Sequence, residues 1–540
     1  MRQWMVAAKK ADFYAIAEKF HVDPVVARII RNREVIGEKN IRIYLGGNLS
    51  DLSDPHQMKD MDRLVEILAQ KIRKQVHIRI IGDYDVDGVT SSHLFLTALR
   101  RVGAKVDVVI PHRIQDGYGL SLHLLQQAKE DGVDTILTCD NGIAAIDEIA
   151  WAKAQKMTVL VTDHHAVPFE EHEGRRTEKK SLADAVVNPH QQDCGYPYKE
   201  LCGAGVAWNV IRVLYENYDM DKREAEDLLD FVAMATVCDV MSLTGENRIL
   251  VKEGLKRIRH TKNIGLQALM QACNVQPENI SAYHFGYVLG PCVNATGRLD
   301  TARHALRLFE TGQETEAEEI ARDLVDLNQE RKELTLQGVE MAKKLCEEGG
   351  YENDPILVLF LPDVHESIAG LIAGRIREMY NRPVFVLTRG EEGVKGSGRS
   401  TENYSMYENM CGCAELFTKF GGHPMAAGLS LPEENVEKFR RKINENCPLT
   451  VEEVCPDIHI DMAMPVGYAS TELVHQFALL EPFGKDNPSP LFADRNLSIS
   501  RMWVIGKNRN VLRMSVLSEY GQPVPVIFFG DVETLFAYFT

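Results

Sequence analysis

The chain has 540 residues, about a quarter of them charged, and a formal net charge of −17. That length exceeds what one hydrophobic core usually organises, so two to four domains are expected, and the acidic balance argues against indiscriminate coating of duplex DNA, which needs clustered Lys and Arg to neutralise phosphates. No apolar run approaches the roughly 20 residues of a membrane-spanning helix, the segment from Met1 to Lys10 lacks the apolar core and cleavage site of a secretory signal, and eleven cysteines, scattered and odd in number, suit a reduced cytoplasmic compartment.

An N-terminal helical segment is expected up to about residue 70, followed to about 245 by apolar strands alternating with helical patterns, the signature of a doubly wound α/β sheet. The first strand, from Val76 to Ile81, runs into Asp83-Tyr84-Asp85-Val86-Asp87-Gly88. Three carboxylates in so short a stretch are costly unless a cation neutralises them. The same spacing opens an EF-hand calcium loop, but that loop needs a glutamate at its twelfth position and helices on both sides. Here the twelfth position is Leu94 and the preceding stretch is β-branched and short. A strand ending in carboxylates before a helix, from Val89 to Arg101, instead presents ligands at the carboxyl edge of a parallel sheet.

Further strands are expected from Val106 to Ile110 and from Ala185 to Asn188, and two more repeat the acidic design. Thr135 to Cys139 leads into Asp140-Asn141-Gly142, and Thr158 to Thr162 leads into Asp163-His164-His165; Asp239 follows the apolar stretch Phe231 to Cys238. One such acid would be an ordinary helix cap; four segments point to convergence on one crevice. Asp and His ligands without thiolate suit manganese or magnesium better than structural zinc. Residues 168–182 are crowded with charge and have no apolar period, which reads as an exposed insertion.

From Thr315 to Cys346 an apolar face of Ile320, Leu324, Leu327, Leu334, Met341 and Leu345 predicts one long helix. Beyond it, strands are expected from Pro355 to Leu361 and Pro383 to Leu387 around a helix from Ser367 to Tyr380. Then come Gly396-Ser397-Gly398-Arg399-Ser400 and Phe420-Gly421-Gly422-His423, where glycine admits close approach of a phosphate and arginine can grip it. Cys411-Gly412-Cys413 has no second pair at metal-ligand spacing and reads as structural. Alternation in Arg501 to Ile505 and Val511 to Val516 predicts short antiparallel strands.

The segments Gly82 to Thr90, Cys139 to Gly142 and Asp163 to His165 resemble the first three motifs of the DHH phosphoesterase superfamily, and the likeness to its RecJ branch covers nearly the whole chain, including Asp51 to Pro55, Pro111 to Leu120, and Leu480 to Phe492. The resemblance implies an α/β fold: a DHH-type parallel-sheet domain (71–310) and a smaller α/β DHH-associated domain (351–450), joined by a long helix (311–350), with an N-terminal helical segment (1–70) and a C-terminal OB-like β module (451–540). Further strands would be expected after the last apolar run, so the module reads as shortened.

By the same resemblance the metal ligands are Asp83, Asp85, Asp87, Asp140, His164 and Asp239, for two Mn2+ or Mg2+ ions, with Asp140, His164 and His165 catalytic. Asp83 is either a ligand or a group orienting one, Asp163 either a ligand or outer support, and His165 a ligand, a phosphate contact or a proton donor. Substrate contacts are implied at Arg113 for a 5′ phosphate, and at Asn294, Arg298, Ser397, Arg399, Ser400, Gly422 and His423. The chain departs from the pattern at Cys292, where arginine is usual, and at Val364, where tryptophan usually precedes His365. The implied activity is hydrolysis of single-stranded DNA from its 5′ end in recombination and repair, with a single-strand-binding protein and a RecQ-like helicase as further partners. Enzymes of the superfamily that cut oligoribonucleotides or cyclic dinucleotides, and a relative without nuclease activity, are the competing readings.

Overall fold

The computed structural model describes residues 4–112, 116, 119–172, 175–299, 301–351, 353–390, 393–447, 449–455, 457–506 and 509–540. Two compact units emerge, one formed by 47–456 with 484–486, the other by 1–46 with 457–483 and 487–540.

In the larger unit five parallel strands lie in the order Lys105–Val109, His77–Ile81, Thr135–Cys139, Thr158–Thr162, Ala185–Val187. The central ones are largely apolar because helices cover both faces of a parallel sheet; Ile78, Ile80, Ile136, Leu137, Val159 and Leu160 are all fully buried. Helix Val86–Arg101 begins inside the first acidic motif, three residues earlier than the apolar pattern suggested, because Asp85 serves as its N-cap and accepts from the Gly88 amide at 3.0 Å. The stretch before Asp239 is a helix, Leu229–Cys238, buried on nearly all sides, which is why its sequence shows no period. The charged insertion forms an antiparallel ribbon, Phe169–His172 with Arg175–Glu178, paired only with itself among the described strands.

Helix Glu314–Glu348 spans 35 residues. Its first half buries Ala317, Ile320, Ala321 and Leu324 in the core of the parallel-sheet domain, and its second half buries Val339, Ala342 and Cys346 in the core of the next domain. The expected single face therefore needs correcting: Met341 is exposed, because the second half turns a different stripe toward helix Glu366–Tyr380. Gly338 permits that approach, since a Cβ there would stand 2.3 Å from Ile372 Cδ1. The following domain has five strands in the order Lys419–His423, Ala426–Leu431, Gly393–Arg399, Val384–Gly390, Leu357–Phe360, only the last pair parallel. The glycine-rich segment around Ser397 is thus a strand, its glycines accommodating neighbours such as Leu387 beside Gly396.

In the smaller unit, helices Phe13–Phe20, Pro24–Asn32 and Glu38–Gly46 share a core with Met464, Leu473 and Leu480. Strand Trp4–Val6 pairs with Ile458–Ile460, and Arg33 grips the Asp461 carboxylate at 2.7 and 3.0 Å. An antiparallel sheet of Ser498–Ile505, Val511–Leu517 and Pro523–Phe529 follows, backed by helix Val532–Phe539.

Ile80 lies fully buried in the strand that delivers the first acidic motif. Ile80→Ala is expected to lower unfolding free energy by about 2–5 kcal/mol, measured by chemical denaturation; a change within error would show that this strand does not hold the core.

Candidate metal centre

The strand order reverses between His77–Ile81 and Thr135–Cys139, the switch point where a crevice opens beyond the carboxyl ends of the strands. Both strands deliver acids into it. Asp87 stands in the first turn of helix Val86–Arg101, and its carboxylate accepts from the amides of Gly203 and Ala204, at 2.6 and 2.7 Å, where helix Gly203–Asn217 begins. Unsatisfied amides at a helix start favour negative charge. Glycine at 203 also admits Asp140, since a Cβ there would lie 2.6 Å from the Asp140 Cβ.

Asp140 leaves its strand in the left-handed region, with φ 61°. An Asp tolerates that conformation better than most residues, and Asn141 pins the turn by donating to the Ile81 and Cys139 carbonyls at 3.0 and 2.9 Å. Asp163 faces inward: its Oδ1 accepts from the backbone amides of His164 and His165 and from His165 Nδ1 at 2.7 Å, and its Oδ2 accepts from the Ile143 amide at 2.9 Å. Asp239 caps the carboxyl end of helix Leu229–Cys238.

These segments bring the side chains together. His164 Nε2 lies 3.0 Å from Asp140 Oδ1, 3.6 Å from Asp239 Oδ2 and 3.7 Å from Asp87 Oδ2. Three sets of ligand atoms each fall within 4.8 Å of one another: Asp83, Asp85 and Asp140; Asp87, His164 and Asp239; and Asp140, His164 and His165. Asp140 and His164 each belong to two of them.

Burial, then the neighbouring carboxylates, pushes Asp83, Asp140 and Asp239 well above the usual carboxylate range and raises Asp85 as well. Neither Asp83 oxygen has a well-formed hydrogen bond, so the amides of Tyr84 and Gly119 only soften its penalty. Burial opposes the charge of Asp163 too, but the His165 hydrogen bond and both imidazoles hold it below the ordinary value. Burial also depresses His164, whereas His165 overcomes burial through Asp163 and is raised to about 9. Acids crowded so that their charged forms are disfavoured, beside an imidazole whose charged form burial also disfavours, fit divalent cations that accept oxygen and nitrogen ligands.

The candidate substrate residues are more dispersed. A cleft of about 460 Å³ lies between Tyr84 of the first motif and the second domain, lined by Ser367, Lys395, Ser397, Lys419 and Gly421 among others. Ser397 is therefore in the cleft, and His423 is exposed on strand Lys419–His423. Gly422 has φ 155°, and a Cβ there would stand 2.5 Å from the Ala426 carbonyl oxygen. Ser400 is buried and donates to the Tyr404 carbonyl at 2.6 Å, which turns its hydroxyl away from the cleft. Arg399 donates to the Gly398 carbonyl at 2.7 Å, and Arg298 to the Ser367 carbonyl at 2.7 Å. Asn294 accepts from the Val86 amide at 3.1 Å, so it steadies the first motif. His365 caps helix Glu366–Tyr380, with Nδ1 2.7 Å from Ser367 Oγ. Arg113 lies outside the described residues.

Four participants escaped the sequence reading. Lys419 precedes the Phe420-Gly421-Gly422-His423 run and shares a strand face with Gly421 and His423, a signal that period-two alternation carries. The amides of Gly203 and Ala204 carry no side-chain signal, and Lys485, whose charge favours ionised Asp239, comes from a segment far along the chain.

Residues 77–236 match the DHH family, N-terminal domain; residues 353–447 match the DHHA1 domain, and residues 460–539 the RecJ OB domain. The chain is 33% identical to the single-stranded-DNA-specific exonuclease RecJ of Bacillus subtilis over 94% of its own length, and spans 63% of that relative. It is 34% identical to the RecJ of Haemophilus influenzae, covering 92% of this chain and 88% of that one. Among solved structures it is similar to RecJ from Thermus thermophilus in complex with Mn2+, with a TM-score of 0.81, 26% identity and coverage of 98% of this chain and 76% of that chain.

Because folding holds protons on Asp83, Asp140 and Asp239 that the unfolded chain has released, metal-free stability should fall as pH rises from about 4 through their raised values. Mn2+ binding must then displace protons and weaken as pH falls, so calorimetric heats should differ between buffers of different ionisation enthalpy; buffer-independent heats would count against a protonated cluster. Asp140→Asn should raise the melting temperature in chelator and abolish the further rise on adding Mn2+, as read by scanning calorimetry.

Proposed function

Because the chain belongs to the RecJ family of DHH phosphoesterases, we propose that it hydrolyses single-stranded DNA from the 5′ end to mononucleotides, with two Mn2+ or Mg2+ ions, in recombination and repair. The observation that carries this reading is the convergence of Asp83, Asp85, Asp87, Asp140, His164 and Asp239 at one sheet edge beside a cleft that Lys395, Ser397 and Lys419 help to line. Asp83, Asp85 and Asp140 would hold one ion, and Asp87, His164 and Asp239, with Asp140 between them, the other. Bound ions supply activation of the attacking water and stabilisation of the departing oxygen.

The chain's own groups do the rest. The Gly203 and Ala204 amides fix Asp87, and Asp163 fixes His165 through its Nδ1 and favours its protonated form against burial, beside the place where a scissile phosphate would sit. Ser397, Lys395 and Lys419 offer hydrogen bonds and positive charge to a nucleotide in the cleft. In the C-terminal module Trp503 pairs with Arg513, and Arg513 with Ile527, on a sheet face that is exposed. An aromatic ring beside an arginine suits stacking of unpaired bases.

The proposed setting is the cytoplasm, with a single-strand-binding protein and a RecQ-like helicase supplying substrate. No helix among the described residues is long and apolar enough to cross a membrane.

A 5′-phosphorylated single-stranded oligonucleotide, labelled at either end in separate reactions, tests the reading. With Mn2+ the 5′ label should appear at once as mononucleotide while the 3′ label stays on a shortening strand, and chelator or Asp140→Ala should stop both. Cleavage of short RNA or a cyclic dinucleotide but not DNA would leave the metal centre standing and refute the substrate. Trp503→Ala should weaken single-strand binding by about 1–3 kcal/mol with little change in turnover at saturation; unchanged affinity in a fluorescence titration would remove the stacking role.

A further inference from the structure

Cys273 and Cys292 lie outside the set of candidate metal ligands, and their sulfurs are 3.7 Å apart. Cys273 caps the carboxyl end of helix Ile264–Ala272, while Cys292 stands in the first turn of helix Gly290–Leu299, so the chain folds back to bring the two thiols into contact. A disulfide needs a sulfur separation of about 2.05 Å, which leaves about 1.7 Å to close, within reach of side-chain rotation and a small helix shift. Cys292 is only 2% exposed, whereas Cys273 is half-buried and open to a small reagent.

The surroundings favour the thiolate of Cys292, whereas the hydrogen bond to Cys292 and then burial push the Cys273 thiol up. Asn328 Nδ2 donates to Cys292 Sγ at 3.4 Å, and Asn328 is itself held by Arg331, whose Nη2 lies 2.8 Å from its Oδ1. The Cys273 hydrogen bond pulls the Cys292 thiol below its ordinary value against the effect of burial, and Asn328, Lys332 and Arg331 add to it. Cysteines near cationic groups, with one partly accessible and a second in contact, are those that oxidise selectively.

We propose that Cys273 and Cys292 are a modification site, a dithiol that a hydroperoxide converts to a reversible disulfide. The Cys292 thiolate attacks one oxygen of hydrogen peroxide, forming an S–O bond as the O–O bond breaks, and the departing hydroxide takes up a proton to become water. The Cys273 thiol then attacks the Cys292 sulfur; the S–S bond forms, the S–O bond breaks, and the second hydroxide leaves with the Cys273 proton as water. Together the two thiols lose two protons and two electrons, and the peroxide is reduced to two waters.

The test uses the full chain in its folded state and does not depend on nuclease activity. After brief exposure to hydrogen peroxide, remaining thiols are blocked with iodoacetamide and the protein is digested without reductant for mass spectrometry. The expected result is a cross-linked peptide pair joining Cys273 to Cys292 as the main disulfide, absent after dithiothreitol and absent in Cys273→Ser, while exposed Cys411 is recovered singly. Recovery of Cys273 and Cys292 as separately alkylated or over-oxidised peptides would overturn the proposal. So would a Cys273–Cys292 link no more abundant than links among the other cysteines, and the unmodified protein yields that comparison even if the variant fails to fold.

Discussion

Burying carboxylates beside one another is opposed by desolvation and by like-charge repulsion together, and the parallel sheet accepts both at the point where its strand order reverses. Asp83, Asp85, Asp87, Asp140 and Asp239 are gathered there with His164, and the fold spends specific features on keeping them close: the amides of Gly203 and Ala204 on Asp87, the left-handed backbone at Asp140, and the four donors that saturate Asp163. Each of these restrains a group that would otherwise separate from its neighbours. A site that raises its own acids in this way gains by cation binding what it loses by folding, so metal affinity and metal-free stability are set against one another through the same residues.

The acids that follow strands were legible because a strand's apolar run and the polar residue after it are both local signals. Asp239 was found by the same habit although it ends a helix, since a fully buried helix and a buried strand look alike in composition. What local sequence could not show were partners far apart in the chain: Gly203 beside Asp140, Lys485 near Asp239, and the amino-terminal helices sharing a core with Met464, Leu473 and Leu480. Side-chain direction was hidden too. Ser400 and Ser397 stand three apart in one segment, yet one hydroxyl is committed to the Tyr404 carbonyl and the other side chain lines the cleft.

The long helix makes the two sides of that cleft answer to one element. Its first half is part of the core beneath the acidic cluster, and its second half is part of the core beneath the sheet that carries Ser397 and Lys419. Arg298 adds a second tie by donating to the Ser367 carbonyl, and the same helix carries Asn294, which accepts from the Val86 amide at the start of the first motif's helix. Cys292 sits on that helix, so closing a bond to Cys273 would act on the element that already couples the motif to the neighbouring domain.

Overall charge and proposed substrate look at first opposed, since a chain carrying −17 should repel a polyanion. The conflict dissolves if affinity is local. On the proposed function, phosphate contacts in the cleft would come from a few cations, Lys395 and Lys419 among them, with Lys395 held by Glu366 at 2.8 Å. Base contacts on the exposed face around Trp503 would rest on stacking, which is tolerant of sequence and needs unpaired bases. A duplex offers that face no free base, whereas a single strand does. On the proposed function, discrimination for single strands would then follow from the scarcity of positive charge.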